Sequence, residues 1–138
     1  MSELTDLRDI ALAAGDNAYA PYSGFRVGAA LRSASGQVYR GCNVENASYG
    51  LTCCAERAAL AAAVANEGRA FRLQAVAVVA RDGSGALQPA PPCGACRQAL
   101  AEFGPAARVG FHDRDAAWRC VAVADLLPYS FTLPGSAD

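Results

Sequence analysis

Leu4, Leu7, Ile10, Leu12 and Ala14 recur near helical spacing among polar residues at the start of the chain. That spacing predicts an amphipathic first helix over residues 3–19, ended by Pro21. Phe-Arg-Val-Gly-Ala-Ala-Leu-Arg over 25–32 reads as a strand, 33–36 as its turn and 37–42 as the returning strand of a hairpin. An Ala-rich run over 54–66 has strong helix propensity, with Gly68 as its stop. Few side chains protrude from such a helix, so other backbones can approach it closely.

Residues 73–80 repeat Val and Ala as a buried strand does, and the Gly- and Pro-rich stretch 82–92 reads as the loop after it. Another helix is predicted over 94–103, strands over 108–111 and 118–123, and one helical turn over 125–127 before Pro128. The tail from Gly135 is expected to fray. Helices interleaved with strands, the first two strands in a hairpin, imply an α/β fold with a mixed sheet covered by helices.

With 138 residues the chain suffices for one domain, 1–138, and is too short for two. A 53% hydrophobic composition supports a real core, and a net charge of -1 offers no excess of positive charge to nucleic acid. No stretch approaches the roughly 20 apolar residues of a membrane helix. Residues 1–12 carry acids and no basic run ahead of an apolar core, so a cytoplasmic location is expected. Six cysteines in such a chain read as metal ligands or buried thiols rather than a disulfide framework.

Three of those cysteines carry the chemistry. Cys54 opens one predicted helix, with Glu56 two residues on, and Cys93 and Cys96 open another within Pro-Cys-Gly-Ala-Cys. Helix N-termini stabilise thiolates, which favours metal binding there. A C-x-x-C pair alone could equally be a redox motif. A redox dithiol does not explain a third cysteine followed by glutamate at another helix start, whereas zinc deaminases use that combination. Cys53 competes with Cys54, but neighbouring side chains diverge by about 100° on a helix, and the position two before Glu56 selects Cys54. Three protein ligands leave a zinc position open for water, which distinguishes a catalytic from a structural site.

Glu56 is the candidate proton shuttle. Three thiolates on Zn²⁺ leave a net negative cluster, and Arg57 is the candidate to offset it by hydrogen bonding to thiolate sulfur. His112, among Asp113, Arg114 and Asp115, is expected to be exposed or in a loop, with no ligand role. Cys42 and Cys120 read as buried strand thiols.

The chain resembles the small cytidine deaminases that act on free nucleosides. The resemblance rests on Ala20-Pro21-Tyr22-Ser23-Gly24-Phe25, Gly41-Cys42-Asn43-Val44-Glu45-Asn46-Ala47, Cys54-Ala55-Glu56-Arg57, Pro92-Cys93-Gly94-Ala95-Cys96-Arg97-Gln98 and Leu126-Leu127-Pro128, in order and nearly end to end. It departs from the family at Cys53, where members vary, and at Pro91, where Ser or Thr is common. The resemblance implies a three-layer α/β/α fold with a mixed five-stranded sheet, usually in a homotetramer with shared active sites. By motif, Cys54, Cys93 and Cys96 would hold one zinc per subunit, with Glu56 shuttling protons. Asn43 and Glu45 would bind the ribose hydroxyls. Phe25 would lie against the pyrimidine, Ala55 would contact substrate, and Phe131 would reach a neighbouring subunit's site. Tyr49 would contact substrate or the interface. The implied reaction is hydrolytic deamination of cytidine and 2'-deoxycytidine in pyrimidine salvage, with Glu56 protonating N3 and then passing a second proton to the leaving amine.

Three rival readings use the same residues. A deaminase of an aminoacylnucleoside antibiotic would share the zinc apparatus, but Asn43 and Glu45 argue for an unmodified ribose. A tRNA adenosine deaminase would share P-C-x-x-C, yet typically has His where Cys54 stands, and the near-zero net charge counts against it. A structural zinc module would need Cys53 or Cys120 as a fourth ligand.

Overall fold

The computed structural model describes residues 3–136. Helix α1 spans Thr5–Ala14, followed by a 3-10 turn over Gly15–Asn17. The expected first helix therefore ends earlier than Pro21 requires. Gly15 is where the chain tightens, and its backbone packs against Val27 and Gly28.

Strands β1 (Arg26–Ser33) and β2 (Val38–Cys42) form the expected hairpin, paired antiparallel from Gly28 opposite Cys42 to Arg32 opposite Val38. Helix α2 spans Ala55–Glu67, β3 spans Leu73–Arg81 and α3 spans Gly94–Phe103. Between β3 and α3 lies a two-residue strand, β4 (Leu87–Gln88), antiparallel to β3. The expected five-stranded sheet thus has a sixth, short strand, within what reads by composition as a loop. Asp82 makes the hairpin: its carboxylate accepts from the backbone N–H of Ser84 and Ala86, and Gly85 takes a left-handed φ of 87°.

Strands β5 (Arg108–His112) and β6 (Trp118–Ala122) complete the sheet, and α4 (Val123–Leu126) follows directly. The strand order is β2-β1-β3-β5-β6, with β4 on β3. Only β3 and β5 run parallel among these pairs, so the sheet is mixed.

Alternation along the central strand β3 builds two cores. Val76, Val78 and Ala80 face Ala59, Leu60 and Ala63 of α2 and Leu100 of α3. Ala75, Ala77 and Val79 face Leu7 and Ala11 of α1. Three layers result, as expected. Close approach depends on glycine on both faces. A Cβ on Gly28 would lie 1.8 Å from the Ala11 carbonyl oxygen, and one on Gly41 would lie 2.4 Å from that of Ala55.

Several local expectations are corrected. Cys42 and Cys120 are half-buried rather than buried. Cys120 Sγ donates to the Glu3 carbonyl at 2.8 Å, as does Trp118 Nε1. His112 ends β5 with its ring edge-on to Trp118, centroids 4.9 Å apart, instead of standing free in a loop. Burial there lowers its pKa below the ordinary histidine value. In the tail, Ser136 N–H donates to the Leu133 carbonyl, closing a turn at Gly135; residues 137–138 of the expected frayed end lie outside the described residues. Among the described residues, no helix is long and apolar enough to cross a membrane.

Candidate active site and metal centre

Cys54 and Cys93 occupy equivalent places, the N-cap positions of α2 and α3, each with an extended backbone. An N-cap residue normally offers a side-chain oxygen to the first-turn N–H groups. Here sulfur stands in that place, and Cys96 lies one turn into α3. The Sγ atoms of Cys54, Cys93 and Cys96 all lie within 4.8 Å of one another. Zinc bound tetrahedrally by sulfur at about 2.3 Å places its ligands about 3.8 Å apart, so the donor set fits zinc by distance and by chemistry. Cys53 turns away and donates from Sγ to the Cys54 carbonyl, and Cys120 lies on β6 with its thiol at Glu3. Neither joins the trio as a fourth ligand.

The local charges favour a cation. Burial opposes ionisation of Cys93, but hydrogen bonds from the N–H groups of Cys96 and Ala95 and from the Cys96 and Cys54 thiols outweigh it, leaving its pKa below the ordinary thiol value. Cys96 is fully buried, and burial with the charges of Glu56 and Cys54 pushes its thiol far up. A dication among the three sulfurs relieves that conflict.

Glu56, in the first turn of α2, is only 4% exposed. Burial raises its pKa above the ordinary carboxyl value, against the lowering effects of its own N–H, Cys96 and Arg57. Its neighbour Arg57 directs Nη2 to the Thr52 carbonyl at 3.2 Å and to Cys54 Sγ at 3.7 Å.

The nucleoside-binding candidates arrive by another route. Residues 43–45 are pinned on both sides: Tyr19 N–H donates to the Asn43 carbonyl, Glu45 N–H to the Tyr19 carbonyl, and Val44 exchanges two hydrogen bonds with Cys53. This lattice carries Asn43 and Glu45 up to the start of α2. A cleft of about 280 Å³ is lined by Phe25, Asn43, Cys54, Ala55, Glu56 and Cys93, with Val27, Val78 and the Pro89–Pro91 segment. An adjoining cleft of about 320 Å³ is lined by Tyr22, Ser23, Glu45, Tyr49 and Thr52. Thr52 lines both.

Asn43 is more than a candidate ligand contact. Its Oδ1 accepts from Val27 N–H at 2.9 Å and its Nδ2 donates to the Phe25 carbonyl at 2.8 Å. One lone pair and one N–H remain for anything else. Glu45 accepts at Oε1 from Tyr22 N–H at 3.0 Å and Ser23 N–H at 3.2 Å, and at Oε2 from the Ser23 hydroxyl. The Ser23 hydroxyl, followed by its backbone N–H and that of Tyr22, holds the Glu45 carboxyl below its ordinary pKa.

The chain does not bring Phe131 to its own cleft. Phe131 is 69% exposed on the C-terminal segment, where its carbonyl accepts from Gln98 Nε2 at 3.0 Å. Tyr49 is 75% exposed and packs edge-on to Tyr22 at 6.1 Å. The sequence reading missed Ser23, Thr52 and Arg97. Arg97 Nε donates to the Pro92 carbonyl at 2.7 Å and Nη1 to the Leu126 carbonyl at 3.0 Å, fixing the backbone just before Cys93. Ser23 and Arg97 stand inside recognised motifs, so their presence was legible while their partners were not.

A family model described as the cytidine and deoxycytidylate deaminase zinc-binding region matches residues 1–112. A cytidine deaminase of Halalkalibacterium halodurans is 50% identical over 129 residues, 93% of either chain. One of Mycobacterium tuberculosis is 46% identical over 127 residues, 92% of this chain and 88% of that one. The crystal structure of a cytidine deaminase from Burkholderia pseudomallei, 46% identical, matches with a TM-score of 0.79 over 92% of this chain and 98% of that chain.

Proposed function

The chain belongs to the cytidine and deoxycytidylate deaminase family, and on that premise we propose that it hydrolyses cytidine and 2'-deoxycytidine to uridine and 2'-deoxyuridine, releasing ammonia. One observation carries this reading: the buried Glu56 carboxylate shares a nucleoside-sized cleft with the thiols of Cys54 and Cys93.

Zinc held by Cys54, Cys93 and Cys96 supplies, when bound, the Lewis acidity that makes water a nucleophile at neutral pH. Glu56 handles the protons. It accepts one from the attacking water and gives it to N3 as C4 becomes tetrahedral, then takes the proton of the new C4 hydroxyl and delivers it to the amine, which departs as ammonia as the C4 carbonyl forms. Burial raises its proton affinity, which suits a group that must take a proton and then release it. Phe25 packs on the pyrimidine and Ala55 closes the cleft beside the reacting carbon. Asn43 offers its remaining N–H to the ribose and Glu45 accepts from a ribose hydroxyl. Arg57 tempers the electron-rich thiolates through Cys54.

The family name spans nucleoside and nucleotide substrates, and the cleft favours the nucleoside. No arginine or lysine is among the residues lining either cleft, and Glu45 would repel a 5'-phosphate. We further propose a single-domain cytoplasmic enzyme of pyrimidine salvage, assembled as a homotetramer in which Phe131 completes a neighbour's site and Tyr49 contacts substrate or the subunit interface; their high exposure supports that assembly.

Purified protein incubated with cytidine, 2'-deoxycytidine, deoxycytidylate, adenosine and cytosine tests the reading by ammonia release. The two cytosine nucleosides should release it readily. Silence on cytidine, or faster release from adenosine, would overturn it.

A further inference from the structure

We infer that Ser23 is a positioning residue for the sugar: its hydroxyl fixes Glu45 so that one carboxylate site alone is left for a ribose hydroxyl. The inference rests on the nucleoside reading above and goes beyond it by assigning a specificity role outside the first ring of substrate contacts.

A carboxylate has about four lone-pair sites, two per oxygen. At Glu45 the two on Oε1 are filled by the backbone N–H groups of Tyr22 and Ser23, at 3.0 and 3.2 Å. The Ser23 hydroxyl fills one on Oε2. Only one site remains, on Oε2, and Glu45 lines the cleft into which that oxygen must point to meet a ligand.

The hydroxyl itself has a defined direction. Phe25 N–H donates to Ser23 Oγ at 2.9 Å, so Oγ accepts there and its own hydrogen is committed to Glu45. One serine thus ties the carboxylate to the backbone of Phe25, the residue placed against the base. Without that hydroxyl, Oε2 keeps two free sites and the carboxylate can swing about its Oε1 anchors. A ribose hydroxyl would then meet a less ordered acceptor, with no change at the reacting carbon. Ser23 is exposed and its own N–H keeps its bond to Glu45 without the hydroxyl; the Phe25 N–H that loses Oγ on truncation belongs to an exposed residue, where water can take the place of the acceptor, so the loop stays in place.

The test is steady-state kinetics of Ser23→Ala on cytidine and on 2',3'-dideoxycytidine, whose sugar keeps the 5'-hydroxyl but lacks the 2'- and 3'-hydroxyls assigned to Glu45 and Asn43. On cytidine, KM should rise about tenfold, the scale of a charged hydrogen bond, with kcat within about twofold of wild type. On the dideoxy substrate KM should hold. In a Glu45→Ala background, Ser23→Ala should add nothing further, because its effect passes through Glu45. An equal rise in KM on both substrates, a fall in kcat at constant KM, or full additivity with Glu45→Ala would each overturn the proposal. Wild-type turnover of cytidine separates the two failures: its absence defeats the nucleoside reading, whereas its presence with any of those three results defeats only the role of Ser23.

Discussion

Arg57 Nη2 lies 3.7 Å from Cys54 Sγ, one turn along α2 from the sulfur at the helix cap. The same nitrogen donates to the Thr52 carbonyl, and Nε is buried without a partner among the described residues. The guanidinium is therefore held against a sulfur that, with two others, would make a zinc cluster of net charge -1. Arg57→Ala should lower zinc retention or turnover by about 10- to 100-fold, the usual weight of groups that orient metal ligands. Zinc analysis after dialysis and kcat check this; wild-type values of both would refute the charge-offset role.

Asn43 makes a prediction that separates structure from ligand contact. Its side chain satisfies Val27 N–H and the Phe25 carbonyl, so Asn43→Ala leaves both without their partner. Each unsatisfied group costs about 1–3 kcal/mol where water cannot replace it. The variant should lose thermal stability as well as raise KM. A raised KM with an unchanged Tm would mean that Asn43 serves the substrate alone.

Gly41 holds β2 against α2. A Cβ there would meet the Ala55 carbonyl oxygen at 2.4 Å and the Ala59 nitrogen at 2.5 Å, backbone atoms that cannot yield without moving the helix. Gly41→Ala should destabilise the fold by about 1–3 kcal/mol, and it should shift the helix start that carries Cys54 and Glu56. Denaturant unfolding together with zinc content measures both effects.

Glu67 gives the fold an acid limit. Its carboxylate accepts from the hydroxyls of Ser33 and Ser35, each at 2.7 Å, and Tyr39 at 2.8 Å, joining the end of α2 to the β1–β2 hairpin. The Ser33 bond, then that of Ser35, lowers its folded pKa below the ordinary 4.5. A depressed carboxyl pKa contributes stability that is complete above the unfolded value and disappears as pH falls through the folded one. Glu67→Gln should therefore melt below wild type at pH 7. That gap should narrow as pH falls below about 4.5. A gap independent of pH would assign the effect to shape rather than charge.

Much of the fold and of the site is legible in the sequence. Helix α3 matches its expected span, and the Gly41 contact bears out the inference that an Ala-rich helix admits a close backbone. The zinc trio was legible because three thiols at two helix starts have few other uses. Strand β4 was not, because a two-residue strand among glycine and proline has no periodicity and exists only by pairing with β3. The partners of Ser23, Asn43 and Arg97 were hidden for the same reason: hydrogen bonds across 16 to 29 residues leave no trace in local spacing. His112 was misplaced because its polar sequence neighbours outweighed Trp118, which shelters it across the strand pair.

That Glu56 carries the protons of deamination underlies every other role assigned at the cleft. Its most direct test is single-turnover and steady-state ammonia release by Glu56→Gln, with zinc content and uridine binding measured on the same preparation. Gln keeps the shape but cannot accept a proton, so zinc and uridine should bind as in wild type while turnover falls by about 10²–10⁴-fold or more. Turnover within tenfold of wild type at full zinc content would mean that another group moves the protons.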